Sequence, residues 1–462
     1  MNKYFISLFS VKNLAKSVEF KRGIIMWITI LMGYFLFITA WFAAGYTQGN
    51  ATIGWRPVFF GTETPDEVTT QAVNYIITLA RGIGSFIIGW IVVKFTHKWA
   101  VLAAMTFLAM SILSITIGAA VGGQGGYALF IIFRLLLAVG GTTLIILLQP
   151  VVAKSVKNPK TKAIMSSISP LGFNTAFIVM TAFFIKPDTA NFLITNWYWF
   201  SLIWALVTLV PLVTYIFIGQ NFEIASGASS DATTEKKATL GSVLREKNTW
   251  AWVLVYGLWL IAAVMPLNSL NTTANTTLLA EAHMGLLGAT DGVTQGNLVR
   301  IWAITFVAGV YVGAFTVGRF SKTSARRKPF MIAITSLAAL FWILSVVVVN
   351  EVASVVPYFI FAFLMGVMIW GIQGPLLNNP YDFAGATPQK VGIFFGIIWG
   401  FGYTIFTGGN IILALINPKA GTGNAIAYYA VLTILISLLP ASLALTKESR
   451  PNGKISFNPF GK

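Results

Sequence analysis

Apolar residues along this chain follow neither the two-residue period of a strand nor the single stripe of a surface helix. They come in long blocks separated by short polar, mostly basic segments. Twelve blocks can be read, at about 23–46, 72–94, 99–121, 127–152, 163–185, 195–219, 249–273, 299–320, 329–350, 353–377, 391–417 and 424–446. A helix needs about 20 apolar residues to cross the hydrocarbon layer. Each block therefore predicts one spanning helix, and the fold class is an all-α integral membrane protein with twelve transmembrane helices. The first block is too long for a cleavable leader, and no small-residue cleavage site follows it.

Composition agrees. Of 462 residues, 56% are hydrophobic and 10% charged, against about 25% charged in soluble domains. This excludes disorder, collagen and coiled coil. The absence of cysteine removes disulfides, thiolate metal sites and cysteine nucleophiles. The net charge of +17 is not read as nucleic-acid binding, because no basic stretch is interleaved with stacking aromatics. It is read as topology. With the N-terminus inside, 25 of the 31 Lys and Arg fall in inner segments, four in outer segments (Arg56, Lys186, Arg300, Lys419), and two (Arg81, Arg134) inside spans. Such asymmetry places both termini in the cytoplasm and predicts a multi-pass plasma-membrane protein. The widest inner gap divides the chain into a six-helix bundle at 1–219, a linker at 220–248 and a second six-helix bundle at 249–462. In the linker, Leu240, Val243 and Leu244 are spaced as a short surface helix.

The halves repeat at an offset of about 224–230. Ser85-x-x-x-Gly89 with Lys94-Phe95-Thr96 matches Gly309-x-x-x-Gly313 with Arg319-Phe320-Ser321. Gly141 with Gln149-Pro150 matches Gly371 with Asn379-Pro380, and Lys162 with Gly172-Phe173 matches Lys390 with Gly400-Phe401. A duplicated six-span unit is a sign of transporters. On these residues the chain resembles the major facilitator superfamily over nearly its whole length. The family's loop motif between spans 2 and 3 finds its glycine at Gly89 and its basic residues at Lys94 and Lys98, but Val93 stands at the Asp position. In the second copy Gly313 fits and Val317 replaces the Asp. Arg134, Ala138, Gly140 and Thr142 match the family's span-4 motif. The resemblance implies alternating access and a cavity lined by spans 1, 4, 7 and 10 with 2, 5, 8 and 11 beside them. No subfamily is identified, so no substrate is inherited.

A charge at the bilayer centre costs at least about 2.5–3.5 kcal/mol. Arg81 and Arg134 each lie seven to nine residues into a span from the outer side, roughly 10–14 Å deep at 1.5 Å per residue. None of the fourteen acidic residues falls in the middle of a span. The expectation is that both arginines bind a small anionic solute such as a sugar phosphate or organic carboxylate. The competing expectation makes both arginines structural, Arg134 bonded to carbonyls of a neighbouring helix, and the solute neutral or cationic. Further cavity candidates by the resemblance are Tyr34, Asn174, Trp259, Trp370, Gln373 and Tyr403. Asn268, a further solute-binding candidate, opens a polar run (268–273) that breaks the seventh span. His97 and His283 are read as loop residues, so an intramembrane proton relay is disfavoured.

No phosphate-loop, H-E-x-x-H, G-x-S-x-G or G-x-G-x-x-G signature stands where it could work. The expectation is a non-enzymatic, monomeric secondary or facilitative transporter whose partners are a solute and the lipid bilayer, with no nucleic acid, cofactor or metal. A non-transporting receptor on the same fold is the alternative from another class.

Overall fold

The computed structural model describes residues 18–63, 65–94, 96–158, 161, 165, 168–222, 239–268, 292–347, 355–383, 385–386, 388–416 and 425–460. Among them every regular element is helical. Apart from the short helices Arg56–Phe60 and Glu67–Thr70 and the 3-10 turns Val317–Lys322 and Asn379–Asp382, these are in chain order α1 (Phe20–Tyr46), α2 (Ala72–Lys94), α3 (His97–Val121), α4 (Gly123–Ser155), α5 (Leu171–Phe183), α6 (Pro187–Thr195), α7 (Trp197–Val207) and α8 (Leu209–Ile218). They continue with α9 (Leu240–Leu244), α10 (Lys247–Asn268), α11 (Gly292–Phe315), α12 (Arg327–Val347), α13 (Val355–Gly371), α14 (Gln373–Asn378), α15 (Pro388–Ile416) and α16 (Ala425–Ala444). By length and composition ten described helices can cross a membrane, or eleven when the bent α5–α6 pair counts as one span. The 23-residue α2 covers the second expected span.

The breaks have chemical causes. Between α5 and α6 the chain bends by 97°, and Pro187 opens α6, where its missing N–H costs nothing and its ring bars Lys186 from helix. Pro211 and Pro375 lack the amide that Val207 and Gly371 would receive, and the chain tightens at Thr208 and Ile372 just before them. Between α3 and α4 the turn is made by Gly122 and Gly123, with φ of 62° and 57°, a region open mainly to glycine. α11 begins at Gly292, so Arg300 lies inside it rather than at its start. Hydropathy marks only the part of a helix that sits in hydrocarbon, and the polar first turns escaped it. Of the polar run, Asn268 ends α10. Residues 269–273, His283 and linker residues 223–238 lie outside the described residues.

The chain forms two compact units. The first comprises Met1–Thr64, Ile76–Met180 and Phe192–Lys237, and the second Pro65–Tyr75, Thr181–Asn191 and Ala238–Lys462. In the first, α4 packs along α3 and α1. Gly140 and Gly141 permit this: a methyl group at the first would meet the carbonyl oxygen of Ala104 on α3, and at the second the ring of Phe37 on α1. In the second unit, α11 crosses α13 at three glycines. Methyl groups at Gly309, Gly313 and Gly366 would run into the carbonyl oxygens of Phe363, Val367 and Phe306. The repeated small-x-x-x-small spacing therefore brings backbones into contact here.

His97 is not a loop residue. It is the first residue of α3 and fully buried. Its Nε2 is 2.9 Å from the carbonyl oxygen of Leu147 and its Nδ1 3.1 Å from the Tyr215 hydroxyl. Phe222 stacks on the ring at 4.3 Å. The imidazole ties α3, α4 and α8 together. The equivalent tie in the second unit is ionic. Asp382, past α14, pairs with Arg327 at 2.6 Å and Arg450 at 3.1 Å, while Glu448 accepts the backbone N–H groups of Arg327, Lys328 and Arg450. The short α9 forms as its spacing predicts. Thr239 and Ser242 make a capping box, Val243 is the buried anchor, and Glu246 pairs with Lys390 at 2.7 Å.

Candidate functional site

In the first unit both intramembrane arginines converge on Trp41 of α1. Arg134 donates from Nη1 to the carbonyl oxygen of Ala40 at 3.2 Å and from Nη2 to that of Trp41 at 3.3 Å. Its guanidinium carbon lies 5.4 Å from the centre of the Phe130 ring. Arg81 approaches the faces of Phe37 at 5.6 Å and Trp41 at 5.8 Å. Exposures of 5% for Arg81 and 4% for Arg134 put both inside the unit. The cavity beside Arg134 holds about 20 Å³ and is lined by Ser111, Ser114, Trp197 and Ser201 among others. One water fills such a space; a sugar phosphate does not.

Tyr34 belongs to the same group, with its ring 6.2 Å from Phe37. The aromatic layer continues through Phe42, Phe173 and Phe177, with Phe42 and Phe177 centred 4.9 Å apart. Asn174, next to Phe173 on α5, is fully buried, and neither end of its amide has a hydrogen-bond partner among the described residues. An unpaired buried amide costs about 1–3 kcal/mol. It is the best polar candidate of this unit.

The second unit gathers three of its expected residues. Trp259 of α10 meets Trp370 of α13 edge-on at 5.4 Å and donates its indole N–H to the carbonyl oxygen of Ile369 at 2.9 Å. Tyr403 of α15 joins through Tyr256 at 6.3 Å. Two members were missed in the sequence. Tyr256 lies 5.6 Å from Trp259 and stacks on Trp399 at 5.5 Å. Trp399 in turn lies 6.4 Å from Tyr403. The signal was present as aromatic pairs at helical spacing, Tyr256 with Trp259 and Trp399 with Tyr403. Gly402 lets Tyr256 approach, since a methyl group there would fall 2.5 Å from its ring. Among the described residues two donors on α15 have no partner, Trp399 Nε1 and Asn410 Nδ2. Gln373 is half-buried at the head of α14, past the break at Ile372. The side chain of Asn268 lies outside what is described.

The result is a five-ring aromatic group with unpaired N–H donors and no carboxylate or metal-ligand cluster among the described residues. Such a group can stack and donate hydrogen bonds. A family model described as "Mycoplasma MFS transporter" matches residues 130–417. The chain belongs to this family of major facilitator transporters. An uncharacterized protein of Mesomycoplasma hyopneumoniae (strain J) is 34% identical over 98% of this chain and 97% of its own length. A major facilitator superfamily transporter of Mycoplasma pneumoniae is 26% identical over 90% of this chain and 91% of its own. Among solved structures, a D-xylose-proton symporter superposes with TM-score 0.67 at 12% identity, covering 94% of this chain and 99% of its own. The nucleoside transporter NupG gives 0.58 at 13% identity, covering 91% of this chain and 98% of its own. At these identities the solved structures speak for the fold alone. Membership confirms the resemblance carried by the span-4 motif and the repeat, and the twelve-helix architecture with it.

Proposed function

We propose that this major facilitator transporter carries a small neutral solute with a ring face and hydroxyl or carbonyl acceptors, a sugar or a nucleoside. The coarser statement, a multi-pass membrane transporter of a non-enzymatic class, follows from the family. The observation that carries the finer one is the aromatic group of the second unit, with Trp399 Nε1 left without an acceptor. Aromatic faces stack on sugar rings and bases, and a buried N–H without a partner is satisfied when a solute supplies one. The solutes named for the fold relatives above, xylose and a nucleoside, have these features.

The expected anionic solute required Arg81 or Arg134 to reach it. Arg134 is instead engaged with two backbone carbonyls, and Arg81 lies against aromatic faces. Support for a plasma-membrane location with both termini in the cytoplasm comes from the loop charges.

The test is thermal stability of the purified full chain against neutral sugars, nucleosides, sugar phosphates and carboxylates. A ligand at 100 times its dissociation constant adds about 2.7 kcal/mol. Neutral ring solutes are expected to stabilise. Trp399→Phe keeps the stack but loses the donor, and should weaken binding about tenfold; Arg81→Gln should leave it unchanged. Stabilisation by anions alone, abolished in Arg81→Gln, would restore the anion reading.

A further inference from the structure

The segment after α16 is folded back onto the second unit. The backbone N–H of Arg326 donates to the carbonyl oxygen of Lys454 at 3.0 Å, and its Nε to that of Gly453 at 2.9 Å. Arg450 reaches the carbonyl oxygen of Thr323 as well as Asp382, and the Ser449 hydroxyl donates to Asn379. Arg319 lies over the ring of Phe460 at 5.6 Å. Between the α11–α12 connection and the tail turn Arg450–Gly453 lies an open surface groove of about 480 Å³, lined by Lys322, Thr323, Ser324, Ser449, Arg450 and Asn452 among others.

The charge around this groove is one-sided. Residues 317–328 and 444–460 carry eight lysines and arginines and one carboxylate, Glu448; Asp382 adds a second. Both carboxylates are engaged, Asp382 by Arg327 and Arg450 and Glu448 by backbone N–H groups. Lys322 is exposed, and no ion pair or hydrogen bond holds its ammonium among the described residues. The walls are hydroxyls, an amide and cations, with only Pro451 as an apolar side chain. The volume falls within the roughly 300–1,000 Å³ of small-molecule sites, room for a phosphate and the group that bears it.

We propose that this groove binds a phosphate-bearing ligand, with Lys322 as its principal cation and Ser324 and Asn452 donating to phosphate oxygens. The ligand bridges the tail to the α11–α12 connection and holds the tail down. A soluble phosphorylated metabolite and the headgroup of an anionic phospholipid share this chemistry. The site is separate from the aromatic group and independent of the solute proposed for it.

The full chain in neutral detergent would be titrated with inorganic phosphate and glycerol phosphate, against chloride at equal ionic strength. In a second arm it would be titrated with mixed micelles containing phosphatidylglycerol or phosphatidylcholine. Thermal midpoint and trypsin cleavage after Lys454 are the readouts. Protection by the soluble phosphates identifies a metabolite site; protection by phosphatidylglycerol alone identifies a headgroup site. In either case Lys322→Gln should raise the half-saturating concentration about tenfold, as for the loss of one charge-assisted hydrogen bond, and Asn452→Ala should raise it several-fold. Both side chains are exposed, so neither variant threatens folding. No protection in any arm, or equal protection in Lys322→Gln, overturns the proposal.

Discussion

Arg134 and Arg81 stand out in the sequence as cations in apolar spans, and their environments separate their roles. Arg134 forks onto the carbonyl oxygens of Ala40 and Trp41. Each charge-assisted bond contributes up to about 1.5–3 kcal/mol, so Arg134→Met should lower unfolding stability in detergent by about 2–4 kcal/mol. Arg134→Lys should recover only part of the loss, because an ammonium cannot fork. Unchanged denaturation midpoints in both variants would remove Arg134 from the scaffold. Arg81 contributes through ring faces, an interaction of about 0.5–2 kcal/mol. Trp41, where the two meet, was not legible in the sequence. Arg134 is 93 residues from it, and nothing in the local pattern of α1 marks one tryptophan among many aromatics.

Glycine spacing governs how closely the helices approach. Gly309 and Gly313 were legible as a small-residue pair, but Gly366, which completes the crossing from α13, was not. Its role depends on which face α13 turns to α11. Gly309→Ala should cost about 1–3 kcal/mol or more, because the methyl group meets the backbone oxygen of Phe363, which cannot rotate away. The control is Gly392→Ala on α15, where nothing lies within 4 Å. That change should be neutral or stabilise by up to about 1 kcal/mol through helix propensity. Thermal midpoints of the two variants in one detergent decide the matter, and equal shifts would argue against a packed crossing. The same kind of local cause explains the missed breaks at Thr208 and Ile372, ahead of Pro211 and Pro375. Hydropathy continues across a proline even though the hydrogen-bond ladder does not.

Energy coupling is a property of the whole chain. No Asp or Glu lies mid-span in the sequence. Asp382 is held by two arginines, and both nitrogens of His97 are occupied by Leu147 and Tyr215. Solute flux down its gradient should therefore be indifferent to a protonophore in reconstituted vesicles. Uphill accumulation driven by an imposed proton gradient, and collapsed by the protonophore, would show a proton path that these groups do not supply.

The sequence by itself determined the number of spans, the charge asymmetry of the loops, the repeat and, through Arg134 and its small-residue neighbours, the family. These are local quantities. Bilayer thickness fixes the length of an apolar run, and the need to satisfy every backbone group in lipid makes that run a helix. The tertiary structure decided which side chains meet. It put Trp259 beside Trp370, Trp399 against Tyr256, and residues 449–454 across the α11–α12 connection. In a soluble helix the apolar stripe would have announced the inward side. Here lipid and protein interior are both apolar, so the pattern carries no face, and only packing between distant helices selects the residues of the site.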